Sequence, residues 1–154
     1  MIDYYVPISI EVGEQNNFIN EDTIYWRTGD IEKSLLEIGI GEKSGILRSI
    51  TLTAIENVSS KQVDLSRIQV KTGTPVFRID SMECKTIYDY IHLFEVPLES
   101  SVISIVLDDI SSCELVIKLD RVKLGITNRG ELCIIQIERL TDVEYRELKD
   151  SFKI

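Results

Sequence analysis

The feature that most constrains this chain is a period-two alternation folded back on itself at a glycine turn between Val122 and Ile137. Val122, Leu124 and Ile126 alternate with Lys123 and Gly125, Thr127-Asn128-Arg129-Gly130 supplies residues that tolerate positive φ, and Cys133, Ile135 and Ile137 resume the alternation. Successive strand side chains point to opposite faces, so the spacing predicts a β-hairpin. Behind it Thr141 is placed as a helix N-cap, Glu144 completes a capping box, and Leu140 and Tyr145 bracket the pair as a hydrophobic staple. Tyr145, Leu148 and Phe152 then share one helical face, which predicts a short helix lying on the sheet.

A second hairpin is legible from Leu35 to Ile55. Leu36, Ile38 and Ile40 alternate with Glu37 and Gly39, Gly41 to Gly45 turns the chain, and Ile50, Leu52 and Ala54 continue. Laying Ile38-Gly39-Ile40 on Leu124-Gly125-Ile126 puts Gly45 over Gly130, Leu47 over Leu132, Ile50 over Ile135 and Leu52 over Ile137, with one residue fewer in the second turn. An internal duplication and two independent hairpins with the same turn chemistry both account for the match.

Between and before the hairpins, shorter β-prone segments recur. Tyr4 to Val12 contains Pro7 and reads as an edge strand; Thr23 to Arg27 carries Trp26; others surround Ile68 and Val70, run from Val76 to about Cys84, and run from Val102 to Leu107. From Ile87 to Val96 both parities are apolar or aromatic, which predicts a strand in the middle of a sheet. The apolar parity of Leu115, Ile117 and Leu119 changes at Val122, which points to a bulge or bend around Asp120-Arg121. No helix-length segment separates these strands, so the expected fold is mainly β with a short C-terminal helix, an antiparallel sandwich or a strongly curved sheet of hairpins. The length of 154 residues is that of a single domain spanning 1–154.

Charge narrows the partners. Twenty-six acidic against seventeen basic residues give a net charge of −9, a field that repels phosphate backbones and attracts basic surfaces, so nucleic acid is not an expected partner. Solubility alone also accounts for such a charge. Cys84, Cys113 and Cys133 are widely spaced and read as buried, reduced thiols rather than a disulfide or zinc framework. Met1 to Pro7 lacks a basic region followed by an apolar one, and no apolar run approaches the ~18 residues of a membrane span, so a cytoplasmic location without membrane association is expected.

Catalytic signatures do not emerge. His92 is the sole histidine and shares its strand face with Tyr88, Tyr90 and Phe94, an arrangement for packing. No serine elbow, phosphate loop or paired metal-ligand spacing occurs, and Asp108-Asp109 reads as a solvated turn, so neither cofactor nor metal nor enzymatic activity is expected. An enzyme would need a cleft in which Asp80 or Glu83 meets His92.

The pattern Leu36-x-Ile-Gly-Ile40, turn, Gly45-x-Leu47-x-x-Ile50-x-Leu52 resembles that of small bacterial immunity proteins of polymorphic toxin systems. The resemblance implies a cytoplasmic inhibitor that binds a cognate, basic toxin domain, often a nuclease, and occludes its active site or a surface beside it. On that reading the exposed members of Glu14, Glu21, Asp22, Trp26, Tyr88, Asp89, Asp108 and Asp109 form the partner-binding set, acids steering encounter and aromatics anchoring. Core packing of Trp26 and Tyr88 and ordinary solvation of the acids remain open. So does a non-catalytic small-molecule-binding or structural β module, in which Tyr88 to Phe94 lines a cavity. Oligomeric state is not encoded in any of these features.

Overall fold

A computed structural model describes residues 8–12, 20–79 and 86–153. Among them lie β1 (Ile8–Glu11), β2 (Thr23–Gly29), β3 (Leu35–Gly41), β4 (Leu47–Ala54), β5 (Val58–Ser59), β6 (Gln69–Thr72), β7 (Ile87–Ile91), β8 (Val96–Pro97), β9 (Ile103–Val106), β10 (Cys113–Leu119), β11 (Val122–Thr127), β12 (Leu132–Ile137) and α1 (Asp142–Phe152). The protein is therefore mainly β with a short C-terminal helix. Two compact units are formed, one within residues 1–54 and 74–92, the other within 55–73 and 93–154.

The first unit holds a five-stranded sheet in the order β1-β4-β3-β2-β7, antiparallel except for the β2–β7 pair. Alternation explains its faces. Ile8, Ile24, Leu36, Ile38, Ile40, Ile50 and Leu52 are buried on one side, while Ser9, Glu11, Glu37, Ser49 and Thr51 on the other are all polar and none is buried. Each aliphatic side chain so placed contributes on the order of 1.5–3 kcal/mol of burial free energy.

The second unit holds a sheet in the order β9-β12-β11-β10-β6, again antiparallel except for its last pair, with a parallel β5–β8 ribbon beside it. This sheet is buried on both faces. Leu124, Ile135, Ile137, Ile103 and Ile105 share one side, while Val116 and Ile134 join Leu65, Cys113 and Cys133 in a cluster covered by Val63, Ile68 and Ile110. A buried Gln136 amide donates to the Ser104 hydroxyl at 3.1 Å, so that polar pair satisfies itself inside the core.

The two sheets follow one plan, register for register. In β3–β4 the partners are Leu36↔Leu52, Ile38↔Ile50, Gly39↔Ser49 and Ile40↔Leu47, with a bulge between Gly39 and Ile40. In β11–β12 they are Val122↔Ile137, Leu124↔Ile135, Gly125↔Ile134 and Ile126↔Leu132, with the bulge between Gly125 and Ile126. Ile8-Ser9-Ile10 lies on Leu52, Thr51 and Ile50 as Ile103-Ser104-Ile105 lies on Ile137, Gln136 and Ile135. Gly39 and Gly125 even face equivalent neighbours: a Cβ added to either would meet the side chain of Ser49 or Ile134 from one flank and of Thr23 or Cys113 from the other. Hairpin chemistry explains turns and alternation, but not a shared bulge position, a shared outer strand and a shared parallel edge.

One expectation is corrected and another narrowed. The segment from Ile87 to Val96 is not one central strand: β7 ends at Ile91 as the last strand of its sheet, and β8 begins at Val96. The large apolar residues Ile87, Tyr90, Ile91 and Leu93 are exposed whereas Phe94 and Val96 are buried, a distinction periodicity cannot make. Of the bulge or bend expected at Asp120-Arg121 the structure has the bend, a two-residue turn: Leu119 and Val122 are cross-strand partners and hence share a face, which is why the apolar parity changes there. The strand expected from Val76 to Cys84 shows one bridge, Val76 to Ile46, and then passes outside the described residues.

In α1 the expected capping box is present, with Thr141 Oγ1 accepting from the Glu144 N–H at 3.1 Å and the Glu144 carboxylate accepting from the Thr141 N–H at 3.0 Å. Leu148 is buried, Tyr145 and Phe152 partly so. The helix entry is fastened by Arg121, whose guanidinium donates twice to Glu144 at 2.7 and 3.1 Å.

Candidate partner-binding edge of the first sheet

Trp26 lies on β2, whose apolar parity Ile24, Trp26 and Thr28 matches Ile40, Ile38 and Leu36 of β3. On its far side β7 runs parallel, placing Tyr88 beside Trp26, Asp89 beside Arg27 and Tyr90 beside Thr28. Specific fasteners hold β7 there. The Thr28 hydroxyl donates to the Tyr90 carbonyl at 2.7 Å, the Arg27 guanidinium donates to both Asp89 oxygens at 2.7 and 2.9 Å, and the Tyr25 N–H donates to the Thr86 carbonyl at 2.8 Å. Hydrogen bonds from Arg27 hold the Asp89 carboxyl below its ordinary range, so the acid stays ionised.

The rings form a ladder on the apolar face. Trp26 and Tyr90 stack with centroids 6.2 Å apart and Tyr90 and His92 at 5.6 Å, both nearly parallel. Where this face reaches β7 it is no longer covered: Tyr90 is 56% exposed, and on the reverse face Ile87 and Ile91 are 48% and 65% exposed.

The second sheet supplies an internal comparison. Its parallel edge strand β6 pairs Val70 with Val116 and Lys71 with Ile117, so Lys71 and Thr72 stand where Tyr88 and Asp89 stand in the first sheet, and Ile117 stands where Trp26 does. The same five-stranded plan therefore forms without the aromatic ladder.

The remaining predicted residues separate into different roles. Glu14 lies outside the described residues. Glu21 is not a surface acid: its side chain has no exposed area, its Oε1 accepts from the Ser44 hydroxyl at 2.7 Å and backbone N–H at 3.2 Å, and Arg48 approaches at 3.7 Å. Burial opposes ionisation of Glu21, yet the Ser44 hydrogen bonds and the Arg48 charge together hold its carboxyl below the usual range. It braces the β3–β4 turn, and a Cβ on Gly41 would collide with its carboxylate. Asp22, beside it, is exposed.

Asp108 and Asp109 belong to the second unit, both exposed. Asp109 caps a short 3₁₀ turn, Ile110–Ser112, by accepting from the Ser111 N–H at 3.0 Å, and that backbone bond lowers its pKa. Asp108 accepts from the Asp109 N–H at 2.7 Å and otherwise faces outward. Sequence reasoning missed Ile87 and Ile91 as surface residues, and Arg27 as the clamp on Asp89.

Among the described residues no three His, Cys, Asp or Glu side chains come together as a metal site. Cys113 and Cys133 are free and buried, and burial pushes the Cys133 thiol up to about 12, far from a thiolate at neutral pH. Among the described residues no helix is long and apolar enough to cross a membrane. No protein-family model and no curated protein matches the chain.

Proposed function

We propose that this chain is a cytoplasmic immunity protein that binds a basic toxin domain, a nuclease in the simplest case, and covers its active site or the surface beside it. The observation that supports this reading most is the edge strand β7, which exposes Tyr90 and Ile91 where the same register in the second sheet runs past the end of β6 to Gly73 and Thr74, neither of them a large apolar residue. A fold requirement would appear in both sheets; a contact requirement need appear in only one. The net charge of −9 supplies the long-range part, since an acidic inhibitor gains association rate toward a basic active site. Tyr90 and its stacked neighbours Trp26 and His92 supply anchors that lose little rotamer entropy on binding.

The test is growth of cells expressing the C-terminal domain of the protein encoded immediately upstream, with and without this chain. Toxicity relieved by co-expression, followed by co-purification of the two proteins, is the expected result. A harmless neighbour, or equal killing in both cultures, removes the pairing and returns attention to a ligand-binding module.

A further inference from the structure

A strand that pairs with its own copy about a two-fold axis matches itself best when its residues run in mirror order. β7 has that order: Ile87-Tyr88-Asp89-Tyr90-Ile91 reads the same from either end. Its backbone suits the same operation. On the β2 side the Thr86 carbonyl accepts from the Tyr25 N–H and the His92 N–H donates to the Gly29 carbonyl, so by strand alternation the N–H and C=O groups of Ile87, Asp89 and Ile91 point away from β2. Among the described residues no strand pairs with that outer edge.

The second sheet shows how an edge is closed. The outer side of β9 takes bridges from Glu95 and Leu98, and β6 exposes Lys71, a charge that discourages a further strand. β7 has neither device. Its one charged residue, Asp89, lies in a two-bond pair with Arg27 at 2.7 and 2.9 Å, and the exposed Ile87 and Ile91 stand at its ends.

We propose that β7 pairs antiparallel with β7 of a second copy of this chain, about a two-fold axis through Asp89. In that register the outward backbone groups of Ile87, Asp89 and Ile91 meet those of Ile91, Asp89 and Ile87 in the second copy and exchange main-chain hydrogen bonds. Ile87 of one copy then packs on Ile91 of the other on one face, and Tyr88 on Tyr90 on the opposite face. Opposed like charges weaken a strand pair, but each Asp89 arrives neutralised by its own Arg27. The edge is short and each copy carries a charge of −9, so the dimer is a weak one that dissociates on dilution. The pairing goes beyond the inhibitor reading and does not rest on it. Both use β7, so a bound toxin domain and a second copy exclude one another, yet either contact can fail in its own assay while the other stands.

Sedimentation velocity of the full chain in about 150 mM salt, where a Debye length of about 8 Å screens most of the mutual repulsion, reads the association over a concentration series into the millimolar range. A reversible rise in mass from one chain towards two is expected for the wild type. Ile87→Lys/Ile91→Lys sets like charges against each other at both ends of the pairing and should weaken it at least tenfold, whereas Ile87→Lys/Ile91→Glu sets opposite charges there and should restore it. Within one chain the two positions lie about 13 Å apart along the strand, so it is the second copy that tells these variants apart. General repulsion predicts the reverse order, because the double lysine variant has the smaller net charge. A wild type that stays monomeric throughout, a double lysine variant that associates like wild type, or equal association of the two variants overturns the proposal.

Discussion

Glu144 illustrates how much one side chain carries at the residue scale. It completes the cap of α1 and takes both bonds from Arg121, whose guanidinium, more than any other neighbour, lowers the Glu144 carboxyl from its ordinary 4.5 to about 2. Because the folded value lies below the unfolded one, the stabilisation is complete above pH about 4.5 and is lost as pH falls toward 2. Glu144→Gln is therefore expected to lower stability at pH 7 by about 2–3 kcal/mol, with the gap to wild type narrowing through that window in urea titrations. An equal gap at pH 7 and at pH 2.5 would contradict the assignment. Glycines make a second case: Gly45 and Gly130 both have positive φ, 74° and 78°, but only at Gly45 would a Cβ strike a backbone carbonyl, that of Phe77. Gly130→Ala should cost about 1–2 kcal/mol from backbone strain alone and Gly45→Ala clearly more. Identical urea midpoints for the two variants would refute the geometric distinction. The turn role of Gly130 is legible from Asn128-Arg129-Gly130, whereas the collision at Gly45 depends on a residue thirty-two positions away.

Among elements, legibility follows how local the cause is. The two hairpins, the capping box and the edge position of β1 are written in neighbouring residues and are found where alternation and turn chemistry put them. β7 is not, because an apolar residue facing a core and one facing solvent leave the same mark in a sequence. Nor could Glu21 be told from a surface acid, since its burial depends on Ser44 and Arg48 from the next hairpin. The Ile91→Ser variant tests the exposed status of β7: the residue is 65% exposed, so the unfolding free energy should stay within about 0.5 kcal/mol of wild type. Thr28→Val, which removes the buried hydroxyl that holds the Tyr90 carbonyl, should instead cost about 1 kcal/mol or more. The opposite order in denaturant titrations would mean that β7 is held by its own side chains rather than by β2.

At the scale of the whole molecule the path of the chain matters most. It leaves the first unit after Ala54, gives β5 and β6 to the second, returns at Thr74 to add β7 to the first, and leaves again after His92. A fragment of residues 93–154 lacks β6 and the segment bearing Leu65 that helps cover the Val116–Ile134 face, so it should not fold alone. Dispersed amide resonances from that fragment would contradict this. The equivalence of the two sheets, half visible beforehand in the Leu-Gly-Ile and Ile-Gly-Ile hairpins, also provides the control for function. The decisive measurement is protection against the upstream toxin domain by three chains: wild type, Tyr90→Ser/Ile91→Ser on β7, and Lys71→Ser/Thr72→Ser on β6. The account predicts that wild type and the β6 variant protect and co-purify with the toxin domain, while the β7 variant is folded and does neither. Full protection by the folded β7 variant would contradict the assignment of that edge as the binding surface.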